Sequence, residues 1–141
     1  MKLKQVPLDQ LNALNQGTLM EALGIQYLEI GDQFVKASMP VNERTRQPMG
    51  LLHGGASAAL METVGSLGSV LLIDPLMQNA VGLDISANHV GAVKEGEVHA
   101  TARLIHAGRT THLWSIEVRE ASSQRLICHG KHTVMILPKA E

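Results

Sequence analysis

Aromatic side chains are nearly absent from this sequence of 141 residues, in which Tyr27, Phe34 and Trp114 are the only three. We therefore expect a core built from aliphatic side chains. Cysteine is scarcer still. The single Cys128 excludes an internal disulfide and fits a reducing, cytoplasmic compartment. A chain of this length is typical of one domain, which we expect to span residues 1–141.

An excess of charge of either sign is also missing. Twelve Lys and Arg against thirteen Asp and Glu give a formal net charge of −1, so no bulk field favours nucleic acid or a membrane surface. The start of the chain shows no basic leader before an apolar run, and we expect no secretion signal. The histidines lack metal-ligand spacing, and no Gly-x-Ser-x-Gly elbow or phosphate-binding glycine loop occurs. We expect no metal and no cofactor.

What the sequence does contain is a long apolar stretch, from Gly54 to Ile73, with one ionisable side chain, Glu62, near its middle. Apolar residues recur there at helical spacing and also fill the opposite side, which predicts a helix buried on all sides. Burial disfavours the charged form of a carboxylate, so proteins seldom keep one in such a place without a use for it. Glu62 is therefore the candidate for chemistry.

Two other interpretations of this stretch remain open. About 20 apolar residues would span a bilayer, although a central acid costs roughly 2.5–3.5 kcal/mol on insertion. Alternatively, Glu62 is a structural acid hydrogen-bonded by the hydroxyl of Ser66, one helical turn further along.

The residues before the helix favour a catalytic role. Gly50-Leu51-Leu52-His53-Gly54-Gly55 leads into a helix start, where unpaired N–H groups and the positive end of the helix dipole are exposed. A carbonyl placed at Gly54 would be polarised as in an oxyanion hole. Glu62 lies about two turns further along, too far to act on that carbonyl. Two copies of the helix would have to meet, which predicts at least a homodimer.

The remaining pattern predicts an antiparallel sheet. After a broken helical lead-in, a hairpin is expected around Gly31-Asp32, and four strands are expected after the helix. A single apolar helix can be buried by a curled sheet wrapped round it, which is an α+β architecture. The predicted strands are Ile25–Ile30, Phe34–Met39, a strand with Val81, Leu83, Ile85 and Ala87 on one face, Glu97–Ile105, Thr110–Val118 and Leu126–Leu137.

The lead-in, residues 7–24, carries a capping-box pattern at Thr18 and Glu21 and a stop at Gly24. Such a segment could be a lid over a ligand or an arm that only packs. The sequence leaves both open.

The stretch from Arg44 to Ser57, followed by Glu62 and Gly65-Ser66, resembles the hotdog-fold acyl-CoA thioesterases. Within them it is similar to the branch that contains the phenylacetate-pathway, hydroxybenzoyl-CoA and 1,4-dihydroxy-2-naphthoyl-CoA thioesterases. The resemblance continues over 82–90 and 106–114, and so covers nearly the whole chain. It implies the hotdog fold and hydrolysis of an acyl-CoA, with an aromatic acyl group, to the free acid and coenzyme A. Coenzyme A would be part of the substrate, and the assembly would be a dimer or a homotetramer built as a dimer of dimers.

The resemblance also implies roles for single residues. The Gly54 N–H would polarise the thioester carbonyl, with Gln47 and His53 shaping the pocket. Glu62 of the facing subunit would act as nucleophile or as general base. The further substrate-binding positions are Thr63, Ser66, Gly82, His89, Val90, Gly91, Ala92, His106, Ala107, Gly108, Arg109, Thr110 and Thr111.

Among these positions, the hydroxyls of Thr63 and Ser66 would place the water or the acyl ring. Residues 89–92 and the turn at 106–111 would hold the nucleotide and the pantetheine. Relatives often carry a basic residue near Gly91, which this chain lacks in its sequence. Lys94 or Arg109 would then have to supply the positive charge for the phosphates.

Two functions of other classes compete with hydrolysis. A hotdog hydratase or dehydratase would pair a histidine with an acid, as His53 with Glu62, and would alter the acyl chain while the thiol stays bound. A non-catalytic acyl-CoA-binding protein would need no carboxylate at position 62.

Overall fold

The structure, a computed structural model, describes residues 1–140. It consists of one antiparallel sheet of six strands that curls round one long helix, preceded by two short helices. This α+β arrangement is the hotdog fold that the sequence predicts. In chain order the elements are α1 (Leu8–Ala13), α2 (Leu19–Leu23), β1 (Gln26–Ile30), β2 (Phe34–Pro40), α3 (Gly54–Val70), β3 (Gln78–His89), β4 (Glu97–Ala107), β5 (Thr111–Glu120) and β6 (Leu126–Pro138).

The strands lie in the order β1-β2-β4-β5-β6-β3, so β1 and β3 form the edges of the sheet. Glycines on α3 let the helix lie close to the sheet. A Cβ at Gly68 would overlap the Trp114 ring, and a Cβ at Gly65 would lie 2.8 Å from His132 Cδ2. The core between helix and strands is mainly aliphatic, as the scarcity of aromatic residues predicts.

Helix α3 is not buried on all sides, and this corrects the expectation for its carboxylate. Leu60 and Val64 are fully buried, whereas Glu62 is exposed in the single chain and Val70 is 42% exposed. The reason is that the sheet curls only part of the way round the helix and ends at the edge strand β3. Within residues 1–140, no helix is both long and apolar enough to cross a membrane.

Strand β3 also departs from the predicted alternation. Gly82 pairs with Val134 and Asp84 with Thr133, so one extra residue, Leu83, is bulged out of the ladder. A bulge reverses which side chains face the core. The prediction of one shared face is therefore wrong, because Val81 and Leu83 are exposed whereas Ile85 and Ala87 are half-buried.

One helix boundary and one capping pattern differ from those predicted. Helix α3 ends at Val70 rather than Ile73. The capping box at Thr18 does not form, because the Thr18 hydroxyl donates to the Asn15 carbonyl at 2.6 Å and Glu21 accepts from the Gly17 N–H at 2.9 Å. Gly24 does end α2, in the left-handed conformation with φ 72°.

Candidate active site

The first group of site residues, the helix-start cluster, consists of Gln47, His53, Gly54 and His89. His53 is the N-cap of α3, and its Nδ1 accepts a hydrogen bond from the Gly55 N–H at 2.7 Å. The Gly54 N–H takes part in none of the hydrogen bonds found among residues 1–140. It remains a donor at the positive end of the α3 dipole.

Gln47 and His89 are the other two members of this cluster. The side-chain oxygen of Gln47 accepts from the Met49 N–H, which leaves the Gln47 amide hydrogens for a ligand. His89 ends β3, and its ring lies against Gly54, where a Cβ would be 2.9 Å from His89 Nε2. Glycine at position 54 thus keeps the backbone donor open beside an imidazole.

The second group, the carboxylate cluster, consists of Glu62, Thr63 and Ser66 on α3, Gly82 on β3 and His132 on β6. A Cβ at Gly82 would overlap Glu62 Oε1 and would lie 3.1 Å from His132 Cε1. The carboxylate therefore rests directly on the β3 backbone, with the edge of the imidazole beside it. No hydrogen bond to the Glu62 carboxylate is found within residues 1–140, which leaves both oxygens open to a ligand.

The Ser66 hydroxyl does not bind Glu62. Its Oγ lies 3.0 Å from Nε2 of His132, a fully buried side chain whose Nδ1 lies 2.9 Å from the Asp84 carbonyl oxygen. The interpretation of Glu62 as a structural acid held by Ser66 is therefore wrong. The Thr63 hydroxyl is used within the helix, where it donates to the Ala59 carbonyl at 2.7 Å.

A cleft of about 440 Å³ opens beside the carboxylate cluster, and its walls are mostly apolar. The lead-in helices form one wall. Burial raises the pKa of Tyr27 to about 12, so its phenol stays protonated at neutral pH. The lining residues include Leu11, Leu14, Asn15, Leu19, Met20 and Tyr27 on one side and Glu62, Thr63 and Ser66 on the other.

The two segments expected to hold coenzyme A lie at opposite ends of the sheet in a single chain. Residues that pair across neighbouring strands form rows that cross the sheet. The turn at 106–111 borders the row that contains Gly82. The segment at 89–92 begins at His89, which lies in another row. The first row consists of Ala107, His112, Val134 and Gly82, and the second of Ala100, Val118, Cys128 and His89. In each chain, therefore, the turn at 106–111 lies on the side of the carboxylate cluster, and the segment at 89–92 lies on the side of the helix-start cluster.

A basic side chain does lie near Gly91 in space, although none does in the sequence. Arg125 donates from Nη2 to the Ala92 carbonyl at 2.6 Å, and a Cβ at Gly91 would lie 3.0 Å from Arg125 Nη1. Sequence reasoning missed Arg125 because its position depends on the pairing of β3 with β6. Lys94 and Arg109 are both exposed.

Two further predictions concern histidines. Among residues 1–140, no three His, Cys, Asp or Glu side chains are grouped so that they could hold a metal ion. His53 is engaged in capping the start of α3, about 13.5 Å along the axis from Glu62 at 1.5 Å per residue. These two side chains do not form a histidine–acid pair within one chain.

Comparisons with known proteins bear on the family of this chain. The sequence profile of the thioesterase superfamily matches residues 49–127. Over 134 residues the chain is 40% identical to the 1,4-dihydroxy-2-naphthoyl-CoA hydrolase of Escherichia coli, a match that covers 95% of this chain and 97% of that protein. Over 122 residues it is 45% identical to the proofreading thioesterase EntH of Cronobacter turicensis, covering 86% of this chain and 88% of that one.

The crystal structure of a mutant thioesterase from Pseudomonas aeruginosa matches with a TM-score of 0.94 at 41% identity, covering 99% of this chain and 100% of that one. The chain belongs to the thioesterase superfamily. It is therefore a thioester hydrolase of the hotdog fold, as the stretch around His53 and Gly54 predicts.

Proposed function

We propose that this thioesterase hydrolyses an acyl-CoA with an aromatic acyl group, at a site formed between two copies of the chain. The observation that carries the proposal is the separation of an unused backbone donor, the Gly54 N–H, from an exposed carboxylate, Glu62, on one helix. The relative in Escherichia coli is named for an aromatic acyl-CoA. The apolar cleft beside Glu62 is large enough for a ring system.

The edge strand β3 offers a way to join the two clusters. If two copies pair antiparallel about an axis between Ile85 and Ser86, Gly82 comes opposite His89 of the partner subunit. The carboxylate cluster then faces the partner's helix-start cluster. Unpaired edge strands with exposed apolar residues need covering, and Val81 and Leu83 on β3 are 48% and 55% exposed. We propose this homodimer as the active unit, alone or within a dimer of dimers.

In such a site the thioester carbonyl accepts a hydrogen bond from the Gly54 N–H, and the α3 dipole stabilises the oxyanion as it forms. We assign Gln47, whose side-chain oxygen already accepts from the Met49 N–H, to the same pocket. Glu62 of the other subunit attacks the carbonyl carbon or takes a proton from the attacking water. The acyl group occupies the cleft lined by α1 and α2.

The same pairing supports the assignment of the coenzyme to both subunits. In this pairing, the turn at residues 106–111 of one copy lies on the same side of the site as residues 89–92 and Arg125 of the partner subunit. Arg109 and Arg125 then supply positive charge from both sides for the phosphates of the nucleotide. The proposal uses no metal ion and no cofactor.

The test is the substitution Glu62→Gln, which keeps the volume but removes the charge and the ability to take a proton. The variant should fold and bind an unreactive acyl-CoA analogue as the parent does, while kcat falls by at least about 10²–10⁴-fold. Glu29→Gln, at another exposed glutamate, is the matched control and should keep parental kcat.

Thiol release is measured over a panel of aromatic, aliphatic and carrier-protein thioesters, with an enoyl thioester included. A folded Glu62→Gln protein with kcat within about tenfold of the parent, short of the general-base range, would contradict the mechanism. Conversion of the enoyl thioester without thiol release would indicate a hydratase instead.

A further inference from the structure

Two buried histidines bind serines of α3, three residues apart. Ser69 Oγ lies 3.0 Å from His112 Nδ1 and accepts from Trp114 Nε1 at 2.9 Å, and Ser69 is fully buried. The other pair, Ser66 with His132, lies 3.0 Å apart at the wall of the cleft. Only the second pair touches the carboxylate cluster, and so only the second is in a position to act on the reaction.

The hydrogen bonds of His132 fix the direction of the one it shares with Ser66. The Asp84 carbonyl oxygen has no hydrogen, so the nitrogen facing it, Nδ1 of His132, must carry one. In the neutral ring Nε2 is then an acceptor, and the Ser66 hydroxyl donates its hydrogen to it. The Ser66 oxygen presents only its lone pairs to the cleft.

That direction matters because Ser66 follows Glu62 by four residues, which makes the two side chains neighbours on the helix surface. A serine hydroxyl in this position, left free, would donate to the carboxylate. Such a charge-assisted hydrogen bond favours the charged form and makes the carboxylate a weaker proton acceptor. His132 removes this competing donor from Glu62.

We propose that His132 is a positioning residue for the hydrolytic reaction. By accepting the Ser66 hydrogen, it leaves two acceptors side by side in the cleft, Ser66 Oγ and the Glu62 carboxylate. One water can then donate one hydrogen to each, so that its lone pair is free for the thioester carbonyl. The inference rests on the proposed function and takes Glu62 as the general base.

The step balances without any further reactant. The water oxygen forms a bond to the acyl carbon as its proton passes to Glu62. The bond between that carbon and the sulfur then breaks, and the thiolate takes the proton from the Glu62 carboxylic acid. Ser66 holds the water, His132 fixes the orientation of the Ser66 hydroxyl, and neither exchanges a proton with the products.

The test begins with His132→Leu, which removes the acceptor for the Ser66 hydroxyl. The hydroxyl should turn to Glu62, so kcat should fall by about three- to tenfold, as for one neutral hydrogen bond. The acidic limb of the pH–rate profile should also move to lower pH, because the carboxylate has gained a donor. Adding Ser66→Ala to His132→Leu removes that donor and should return the limb to its parental position.

The conservative variant His132→Gln should restore the parental profile, because its carbonyl can accept from Ser66 while its amide donates to the Asp84 carbonyl. Ser69→Ala is the matched control, since it removes a buried serine hydroxyl from the same helix away from Glu62. It should lower the melting temperature without moving the acidic limb.

A folded His132→Leu protein with the parental pH profile and kcat within twofold of the parent would overturn the inference. A shifted limb that persists after Ser66→Ala is added would overturn it as well. These failures are distinct from failure of the proposed function, which would appear as an active Glu62→Gln variant.

Discussion

The two ends of the candidate site, the helix-start cluster and the carboxylate cluster, offer different kinds of chemical group to a substrate. The helix-start cluster works through the backbone, since its central donor is the Gly54 N–H and His53 holds the helix end in place through Gly55. The carboxylate cluster works through side chains, with Glu62 resting on the β3 backbone at Gly82. One end can stabilise negative charge and the other can take up a proton, so neither is sufficient alone.

This difference determines how each end can be disabled. A backbone donor survives most side-chain substitutions at its own position, whereas a carboxylate is lost in one. Substitutions aimed at the two ends can therefore show whether the N–H and the carboxylate serve the same reaction, and whether they come from one chain or from two.

Of the changes aimed at the helix-start cluster, Gly54→Pro should have the largest effect. Proline removes the N–H and is tolerated at the first helical position, and His53 already has the extended conformation favoured before proline, with φ −70° and ψ 130°. We expect kcat to fall by about 10²–10³-fold, the usual cost of one oxyanion donor. Steady-state kinetics and a melting curve provide the measurement.

Gly54→Ala is the matched control, because it introduces the same contact of a Cβ with His89 but keeps the N–H. It should retain most of the activity that Gly54→Pro loses. Equal losses in the two variants would mean that crowding of His89, rather than the missing donor, is responsible.

Mixed dimers should give the next largest effect. Glu62→Gln and Gly54→Pro chains are each expected to be nearly inactive alone. In a dimer of one chain of each kind, one site combines the intact Glu62 with the intact Gly54 of the partner subunit. Random mixing should restore about one quarter of the parental activity, because half of the dimers are mixed and each has one complete site. Mixtures that stay inactive, although mass spectrometry shows mixed dimers, would contradict a shared site.

The sequence predicts much of the secondary structure that carries the two clusters. The hairpin, the start of α3 at Gly54 and the strands of the sheet follow from local signals, namely turn residues, helix caps and the alternation of apolar residues.

What the sequence does not predict depends on tertiary structure. The bulge at Leu83 reverses an alternation that looks regular in the sequence, and the exposure of Glu62 depends on where the sheet ends. Arg125 reaches Ala92 through the pairing of β3 with β6, and His132 reaches Ser66 through the packing of α3 on the sheet. No spacing rule links His132 to Ser66, or Arg125 to Ala92.

The coenzyme site should show a smaller effect, on KM. If Arg109 binds phosphate, Arg109→Ala should raise KM for acyl-CoA by about three- to tenfold, the range of one charge-assisted contact at an exposed site. Truncated pantetheine thioesters, which lack the nucleotide, should keep their KM. Arg125→Ala, measured in parallel, should show the same pattern if both cations contact the nucleotide. Equal losses on both substrates would mean that the arginine concerned is structural.

The smallest expected effect concerns stability in acid. It arises at the buried pair of His112 and Ser69, which lies away from the carboxylate cluster. Burial, and to a lesser degree the charge of His106, lowers the pKa of His112 below its usual 6.5. Above that value the folded and unfolded chains both leave the imidazole neutral, and His112 has no influence on the pH dependence of stability. As the pH falls through 6.5, the unfolded chain takes up the proton first, so the free energy of unfolding decreases until the folded-state pKa is reached.

The measurement is urea unfolding at about pH 7.5 and pH 5.5 for the parent and for His112→Asn, whose side-chain amide can replace Nδ1 as the partner of Ser69. The other six histidines are common to both proteins, so the difference between their pH responses isolates His112. The parent should lose more stability than the variant on acidification. An identical loss would show that His112 is protonated as readily in the folded chain as in the unfolded one.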